Sequence, residues 1–347
     1  MDRRLVASAP HVIEVESFEV PEPGPDQLVI RAEFASGKHG TARALFDKVN
    51  FQGQEFDQAT RLFTPASEGA GWGAFSAPLM LGTTVVGVVE AAGPEVSTFT
   101  VGDRVVALGK VATRNVVDAG RAWLLGEADP LEALCIEPAY VSIHSVREGG
   151  VRFGETVAVI GLGAIGLIAV EMAYRSGART VIAADPLANR REWARAHGAA
   201  AVLDPTADDV PRVVHELTGG RGADVVIEAS GSYQALESAI KCTRMRGTVC
   251  AAGFYQGEAT SLWLGREFHH NRLTMIVPHG CGWGHEPRDY PRWDESRAYE
   301  TIVGMLRDRR IDLSGLITPL VSVEEMPGVF ERIENDPGSV IKYGVRF

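Results

Sequence analysis

The sequence predicts an α/β protein of two domains, one β-rich and one built on a doubly wound parallel sheet. The chain has 347 residues, which exceeds one typical domain, and 45% of them are hydrophobic, enough for two buried cores. Short apolar runs between turns dominate the first 140 residues. Between residues 141 and 283, strand-like and helix-like segments alternate, as they do in parallel sheets covered by helices.

In the β-rich part, three short apolar or alternating runs predict strands. Gln27–Ala35 follows a Pro/Gly turn at Pro21–Asp26, and Val85–Ala92 and Val101–Ala107 come after further turns. Phe51–Ser76 is a long irregular stretch rich in Gln, Gly and aromatic residues. A loop of that length is uncommon unless it covers a site, so we expect it to cover one.

A glycine motif opens the second part of the chain. The apolar run Val157–Ile160 predicts a strand buried on both faces, and it leads into Gly161-Leu162-Gly163-Ala164-Ile165-Gly166. The first glycine permits a tight turn, the second permits close approach of a pyrophosphate, and the third permits close packing of helix on strand. The predicted helix Ala164–Arg175 then presents free N–H groups to an anion. The motif therefore predicts a dinucleotide site.

The next predicted strand, Thr180–Ala184, ends on the acidic residue Asp185. A carboxylate at this place accepts the hydroxyl groups of the adenosine ribose and repels a 2′-phosphate, which favours NAD over NADP. Arg190 and Arg191 follow closely and would serve a 2′-phosphate if the Asp185 side chain turned away.

The remaining pattern completes the parallel sheet and returns to the first domain. We expect the two domains to comprise residues 1–140 with 284–347, and residues 141–283. The further segments are strands at Ala223–Ala229 and Gly247–Ala252, helices at Asn189–His197 and Tyr233–Met245, a late helix at Glu295–Arg309 and a last strand at Val340–Phe347.

Composition excludes several classes of function. The formal net charge is −11 with a pI near 5.4, which argues against a nucleic-acid surface. No apolar run is long enough to span a bilayer, and the N-terminus lacks the apolar region of a signal peptide, so we expect a soluble, cytoplasmic protein. The four cysteines are widely spaced and predict reduced thiols in the core.

Three motifs along the chain resemble the medium-chain dehydrogenase/reductase superfamily. They are Val101–Val105 (VGDRV), the glycine motif that begins at Gly161, and Gly222–Glu228 (GADVVIE). The resemblance implies a GroES-like catalytic domain and a Rossmann domain, with the active site in the cleft between them. It also implies a homodimer or homotetramer.

Both motifs that bind the catalytic zinc in many members are altered here. His39 stands at the position of the cysteine ligand, and Gly82-Thr83-Thr84 replaces the motif that carries His and Glu. A catalytic zinc normally needs three strong protein ligands, and threonine is a poor one. His39 and Glu137 would supply two and no third is visible, while residues 109–134 lack the cysteines of the structural zinc lobe. We therefore expect no catalytic metal.

A narrower resemblance is carried by four short motifs, and it points to bacterial glycoside 3-dehydrogenases. These enzymes use NAD to oxidise the ring 3-hydroxyl of a hexoside to a ketone, so the resemblance implies a carbohydrate substrate. The motifs are Lys38–Thr41, Leu264–Glu267, Asp289–Trp293 and Ile341–Phe347.

Without zinc, another group must stabilise the alkoxide and accept the hydroxyl proton. Lys38, His39 and Thr41 lie where relatives keep the metal ligand and the proton-relay hydroxyl, so they are the leading catalytic candidates. An ammonium group stabilises an alkoxide, and a histidine exchanges protons near neutral pH. The alternative is a solvated loop lysine beside a histidine that only packs. Glu137 either accepts a substrate hydroxyl or is an acidic residue near the start of a helix.

Two further groups of residues complete the predicted site. Sugars are bound by aromatic faces together with charged and amide groups, although surface loops have a similar composition. On that chemistry we predict substrate contacts from Asn271, His279, Asp289, Arg292 and Trp293. By family position, Ser230, Gly231, Gly253 and Phe254 line the cofactor cleft, the last two beside the nicotinamide.

Competing functions are a zinc polyol dehydrogenase with atypical ligands, an NAD(P)H-dependent quinone or enoyl reductase, and a protein that binds NAD without catalysis. The first would need zinc for turnover. The second would be expected to prefer NADPH, which Asp185 disfavours.

Overall fold

The chain forms two compact units in the computed structural model. The first comprises Met1–Glu137, Tyr299–Arg310 and Ser314–Phe347, and the second comprises Pro138–Ala298 and Ile311–Leu313. The structure describes residues 1–38, 40, 54–66, 78–278 and 287–347.

Strands and helices follow the alternation that the sequence predicts. The helices are α1 (Pro130–Ala133), α2 (Ile136–Glu148), α3 (Ala164–Arg175), α4 (Ala188–Ala196), α5 (Val210–Leu217), α6 (Tyr233–Cys242), α7 (Glu267–His270), α8 (Glu295–Arg307) and α9 (Met326–Asn335). The strands are β1 (Asp2–Ala9), β2 (Val12–Phe18), β3 (Gln27–Ser36), β4 (Gln54–Asp57), β5 (Leu62–Pro65), β6 (Leu79–Met80), β7 (Thr84–Ala92), β8 (Arg104–Ala107), β9 (Arg114–Asp118), β10 (Ala122–Leu124), β11 (Thr156–Ile160), β12 (Thr180–Ala184), β13 (Ala201–Leu203), β14 (Ala223–Glu228), β15 (Thr243–Ala251), β16 (Thr274–Ile276), β17 (Ile317–Ser322) and β18 (Lys342–Arg346).

The first unit is built around a mainly antiparallel sheet in the order β10-β8-β7-β3-β18-β17, with β9 also paired to β3. The last strand, β18, lies next to β3, so the C-terminus rejoins the N-terminal sheet. Leu28, Ile30, Val85 and Val105 share one buried cluster of this sheet, as alternation along the strands requires. A three-stranded sheet, β2-β1-β6, and the β4-β5 hairpin complete the unit.

The second unit contains a six-stranded, fully parallel sheet in the order β13-β12-β11-β14-β15-β16. Strand β11 lies at the centre, and four of its five residues are buried, because helices cover both faces of such a sheet. Strand order reverses between β11 and β14. In open α/β sheets, ligands bind beyond the carboxyl ends of the strands at this point of reversal.

The structure corrects several predicted boundaries. Residues 287–298 and 311–313 lie in the second compact unit, whereas the sequence predicts residues 284–347 in the first domain. The helix predicted at Tyr233–Met245 ends at Cys242, and Thr243 begins a strand that runs on to Ala251. Thr and Met are compatible with a helix and with a strand. This segment forms a strand because it pairs with β14 and β16.

The predicted long loop Phe51–Ser76 contains a short hairpin. Strands β4 and β5 pair in antiparallel register, and the rings of Phe56 and Phe63 pack with centroids 5.2 Å apart. Aromatic pairs across two strands stabilise such hairpins. Because the segment as a whole is only weakly hydrophobic, its sequence did not predict the hairpin.

Three of the four cysteines lie in the described parts of the chain, where each is a buried free thiol. They are Cys135, Cys242 and Cys250. Burial raises the pKa of Cys135 to about 12, so this thiol is neutral at ordinary pH. Cys281 lies outside the described residues. In the described residues no helix is both long and apolar enough to cross a membrane.

Candidate active site and cofactor site

The glycine motif forms an open cradle at the end of β11. Gly161 has φ +86°, and a Cβ added there would lie 2.6 Å from the backbone nitrogen of Ser230. A Cβ at Gly166 would overlap the carbonyl oxygen of Gly161, whereas one at Gly163 would meet no atom within 4 Å. Two of the glycines are therefore required by close packing, and the space over Gly163 is left free for a ligand.

The same motif leads directly into helix α3. Gly163 is the N-cap residue of α3 and supplies no side-chain hydrogen bond, and Ala164 and Ile165 lie in the first turn. The N–H groups of this turn are available to an anion, as the sequence predicted. A cradle with this opening fits the pyrophosphate of a dinucleotide.

Asp185 lies at the end of β12 and is buried. Its Oδ2 accepts the N–H of Leu162 at 2.7 Å, and its Oδ1 accepts the N–H of Leu187 at 2.9 Å. Arg190 approaches the same carboxylate, with Nη1 3.7 Å from Oδ2. Arg191 instead pairs with Asp204 at 3.1 Å. The Asp185 carboxylate is thus fixed beside the glycine motif by two backbone groups.

Ser230, Gly231, Gly253 and Phe254 are brought together by a residue that the sequence analysis missed. Glu228, the last residue of β14, accepts hydrogen bonds from the N–H and the hydroxyl of Ser230. Its backbone oxygen accepts the N–H of Gly253 at 2.9 Å. A Cβ at Gly231 would lie 2.7 Å from the carbonyl oxygen of Phe254, so the two loops are in contact.

Tyr255 is the second missed residue in this region, and its hydroxyl donates to the carboxylate of Glu228. Burial raises the pKa of Glu228, while the hydrogen bonds from Ser230 and Tyr255 oppose that rise. The signal in the sequence was a carboxylate directly after the apolar run Val225–Ile227, where burial without hydrogen-bond partners would be costly.

In the first unit, the structure joins two of the predicted catalytic residues. Lys38, just after β3, forms an ion pair with Glu137 in the first turn of α2. The side chains are 28% and 12% exposed, so the pair is mostly shielded from solvent. The other carboxylate oxygen, Oε2 of Glu137, is buried without a hydrogen bond from any described residue.

A buried lysine that the sequence analysis did not select lies beside this pair. Lys342, the first residue of β18, is 2% exposed and donates to the carbonyl oxygen of Gly37 at 3.1 Å. Burial lowers the pKa of Lys342, the nearby Cys135 and Glu137 oppose this change, and Lys38 adds to it. The available signal was a lysine at the start of a terminal strand, directly after the apolar residues Val340 and Ile341.

The segment before Lys38 is held tightly by neighbouring residues. The Ser36 hydroxyl donates to the carbonyl oxygen of Tyr343 at 2.6 Å. A Cβ at Gly37 would overlap the hydroxyl group of Tyr343, so only glycine fits there. The Lys38 backbone is therefore positioned by β18.

His39, Thr41 and His279 lie outside the described residues, and their predicted roles remain predictions. At the altered zinc motif, the hydroxyl groups of Thr83 and Thr84 are buried and have no hydrogen-bond partner among the residues described. Within the same described ranges, no group of three His, Cys, Asp or Glu side chains is arranged to hold a metal. The described donor set does not fit a catalytic zinc.

Of the described residues predicted to bind substrate, Asp289 and Trp293 both contact Arg147 in the second unit. Asp289 accepts a hydrogen bond from Nη2 of Arg147 at 2.6 Å. The ring of Trp293 is only 8% exposed, and the guanidinium groups of Arg147 and Arg297 lie over it at 3.7 and 4.5 Å. The ring therefore packs under two guanidinium groups of the second unit, and its contact with a sugar stays a prediction.

The other two predicted substrate residues differ from this pair. Arg292 is exposed and stays available for a ligand. Asn271 follows α7 and lines a different cleft, together with Asp209, His215 and Lys241.

Comparison with known proteins agrees with this arrangement. Residues 55–126 match the alcohol dehydrogenase GroES-like domain, and residues 164–294 match the zinc-binding dehydrogenase domain. The chain is 35% identical to D-guloside 3-dehydrogenase of Escherichia coli K12, over 99% of this chain and 100% of that protein. It belongs to the medium-chain dehydrogenase/reductase superfamily.

Solved structures of the superfamily share the fold. Galactitol-1-phosphate dehydrogenase from Escherichia coli superposes with a TM-score of 0.79 at 20% identity, covering 99% of this chain and 100% of that one. A zinc-binding dehydrogenase from Sinorhizobium meliloti, bound to NADP, gives a TM-score of 0.76 at 24% identity, covering 100% and 99%. As a member of the superfamily, the protein is a dehydrogenase that uses a nicotinamide cofactor, and the predicted GroES-like and Rossmann domains are confirmed.

Proposed function

We propose that the protein is an NAD-dependent dehydrogenase that oxidises a ring secondary hydroxyl of a hexose or hexoside, at C3, without a catalytic metal. The 35% identity to D-guloside 3-dehydrogenase over both full chains supports the substrate class. The observation that carries the metal-free part is the Lys38–Glu137 ion pair, because it puts a protein cation at the altered zinc motif.

The proposed chemistry separates the hydride from the proton. The glycine motif at Gly161–Gly166 would hold a nicotinamide dinucleotide, which would supply the hydride acceptor for the carbinol carbon. The ammonium group of Lys38, held by Glu137, stabilises the negative charge that develops on the substrate oxygen. The Lys342 side chain lies nearby and is buried, and burial lowers its pKa. His39 accepts the proton while Lys38 stays an ammonium group. In the alternative, Lys38 is a neutral amine before the transfer, accepts the proton itself and becomes the ammonium group beside the alkoxide.

We assign NAD as the cofactor because of the Asp185 carboxylate. Two backbone N–H groups hold it at the end of β12, so it cannot turn away without losing both hydrogen bonds. A fixed anion at this place repels a 2′-phosphate. Arg190 offsets part of that charge, and Arg191 is already paired with Asp204.

The test is cofactor reduction by chelator-treated, metal-assayed protein with a panel of methyl hexosides that differ at C3, C4 and C5. Formation of NADH without metal supports the proposal, and the reactive epimers identify the ring position. Activity that returns only with added zinc would instead establish a zinc polyol dehydrogenase with atypical ligands. Turnover of quinones or enoyl substrates with NADPH, and none of sugars, would establish the reductase.

A further inference from the structure

Glu228 is a fully buried carboxylate at the cofactor end of the parallel sheet. It accepts the Ser230 N–H at 2.8 Å and the Gly231 N–H at 3.3 Å, and the hydroxyl groups of Ser230 and Tyr255 also donate to it. No lysine, arginine or histidine forms an ion pair with it in the part of the chain that the structure describes. Four donors surround this group, and no cation among the described residues neutralises it.

The hydrogen-bond pattern indicates the charge state of this group. The N–H groups of Ser230 and Gly231 can only donate, so each carboxylate oxygen accepts at least one hydrogen bond whichever way the two hydroxyl hydrogens point. Such fixed donors favour the ionised form. An ionised carboxylate that is buried without a counter-charge is unfavourable, even when it is well hydrogen-bonded. A ligand that brings a positive charge to this place would remove that penalty.

The position of Glu228 in the sheet indicates which ligand group faces it. Dinucleotides lie across the point where strand order reverses, here between β11 and β14. Asp185 ends β12 on one side and takes the adenosine half, which leaves the nicotinamide half to the β14 side. The loop held by Glu228 borders the glycine motif, because a Cβ at Gly161 would lie 2.6 Å from the nitrogen of Ser230.

The two oxidation states of the cofactor differ in charge at that half. The oxidised nicotinamide ring carries a positive charge, and the reduced ring is neutral. We propose that Glu228 is a positioning residue whose carboxylate is the counter-charge of the oxidised nicotinamide, so that the protein favours the oxidised over the reduced cofactor. This role of Glu228 requires only the nicotinamide cofactor of the superfamily. It does not depend on the proposed sugar substrate or on a reaction without a catalytic metal.

Binding titrations by calorimetry test this assignment on the full-length protein with NAD⁺, NADH, NADP⁺, NADPH and ADP-ribose. For Glu228→Gln we expect oxidised-cofactor affinity to fall about tenfold and reduced-cofactor affinity to change less than about twofold. ADP-ribose, which lacks the nicotinamide, should bind as it does to the wild type. An equal loss of affinity for the oxidised and the reduced cofactors, or no change in either affinity, would overturn the proposal.

Two variants separate charge from loop structure. Glu171→Gln is the matched control, because Glu171 is 1% exposed in the same unit but already pairs with Arg175. It should leave the ratio of the two affinities unchanged. Tyr255→Phe removes one donor but keeps the carboxylate, so it should also preserve the ratio. A changed ratio of oxidised- to reduced-cofactor affinity in Tyr255→Phe would indicate that loop structure, and not charge, decides the preference.

The wild-type protein tests the proposal even if Glu228→Gln does not fold. A buried counter-charge is incompatible with strong preference for the neutral ring. If the wild type binds the reduced cofactor more than about tenfold more tightly than the oxidised one, the proposal is wrong. If it binds none of the four cofactors, the cofactor assignment fails, whereas failure on the sugar panel alone leaves this inference intact.

Discussion

The Lys38 ammonium group contacts the carboxylate of Glu137, and one oxygen of that carboxylate remains buried without a hydrogen bond from a described residue. The two residues lie on different elements, after β3 and at the start of α2. Their contact forms one ion pair, mostly shielded from solvent, at the altered zinc motif. The sequence alone left two roles open for each residue.

Replacing Lys38 by Met should lower kcat by at least about a hundredfold, because the developing alkoxide loses its stabilising cation. Cofactor affinity should change little, since Lys38 belongs to the first unit and the glycine motif to the second. Steady-state rates on the reactive hexoside and calorimetric binding of NAD⁺ measure both quantities. Lys241→Met, which removes a lysine paired with Glu237 in the second unit, is the matched control. Near-normal kcat in Lys38→Met would remove this residue from the mechanism.

Gly163→Ala and Gly166→Ala should fail in different ways. A Cβ at Gly163 meets no protein atom, so this variant should fold with a wild-type melting temperature and lose cofactor affinity by at least about tenfold. A Cβ at Gly166 overlaps the Gly161 carbonyl oxygen, so this variant should be strongly destabilised. Thermal unfolding and cofactor titration distinguish the two. Full cofactor affinity in Gly163→Ala would place the pyrophosphate elsewhere.

Asp185→Asn should reduce the preference for NAD over NADP by about tenfold or more, because the variant no longer repels a 2′-phosphate and Arg190 remains nearby. The measurement is the ratio of kcat/KM for the two cofactors. Asp204→Asn, which alters the partner of Arg191, serves as the control and should leave the ratio close to the wild-type value. An unchanged ratio in Asp185→Asn would contradict the assignment of NAD by this carboxylate.

Lys342 makes the stability of the protein depend on pH at the alkaline end. Its folded-state pKa lies below the ordinary value of 10.5, so between these two values the unfolded chain binds more protons than the folded one. The free energy of unfolding contributed by this group therefore rises with pH through that window. Relative to Lys342→Met, the wild type should gain stability as the pH increases toward 10.5 in urea-unfolding experiments. A constant difference would show that the buried lysine has an ordinary pKa.

Trp293→Ala should act mainly on stability, lowering the free energy of unfolding by about 3 kcal/mol or more, because the buried ring packs under two guanidinium groups. Arg292→Ala, at an exposed neighbour, should leave stability unchanged and raise KM for the hexoside if it binds substrate. Denaturant unfolding and steady-state kinetics on both variants separate these roles. A raised KM with wild-type stability in Trp293→Ala would support the predicted contact between Trp293 and the sugar.

Much of the second unit could be predicted from local pattern alone. The glycine motif, the apolar run of β11 and the position of Asp185 each follow from steric and burial requirements within a few neighbouring residues. The strand boundaries near Thr243 could not, because Thr and Met suit a helix or a strand until a partner strand is present.

The sequence by itself determined the fold class, the cofactor cradle and the loss of the zinc motifs, since each depends on residue identity at fixed spacing along the chain. Only the tertiary structure paired Lys38 with Glu137, buried Lys342 beside them, and surrounded Glu228 with four donors. Lys38, Glu137 and Lys342 come from segments far apart in the chain, and Tyr255 contacts Glu228 across a separation of 27 residues. The roles of these groups depend on burial and proximity, which only packing creates.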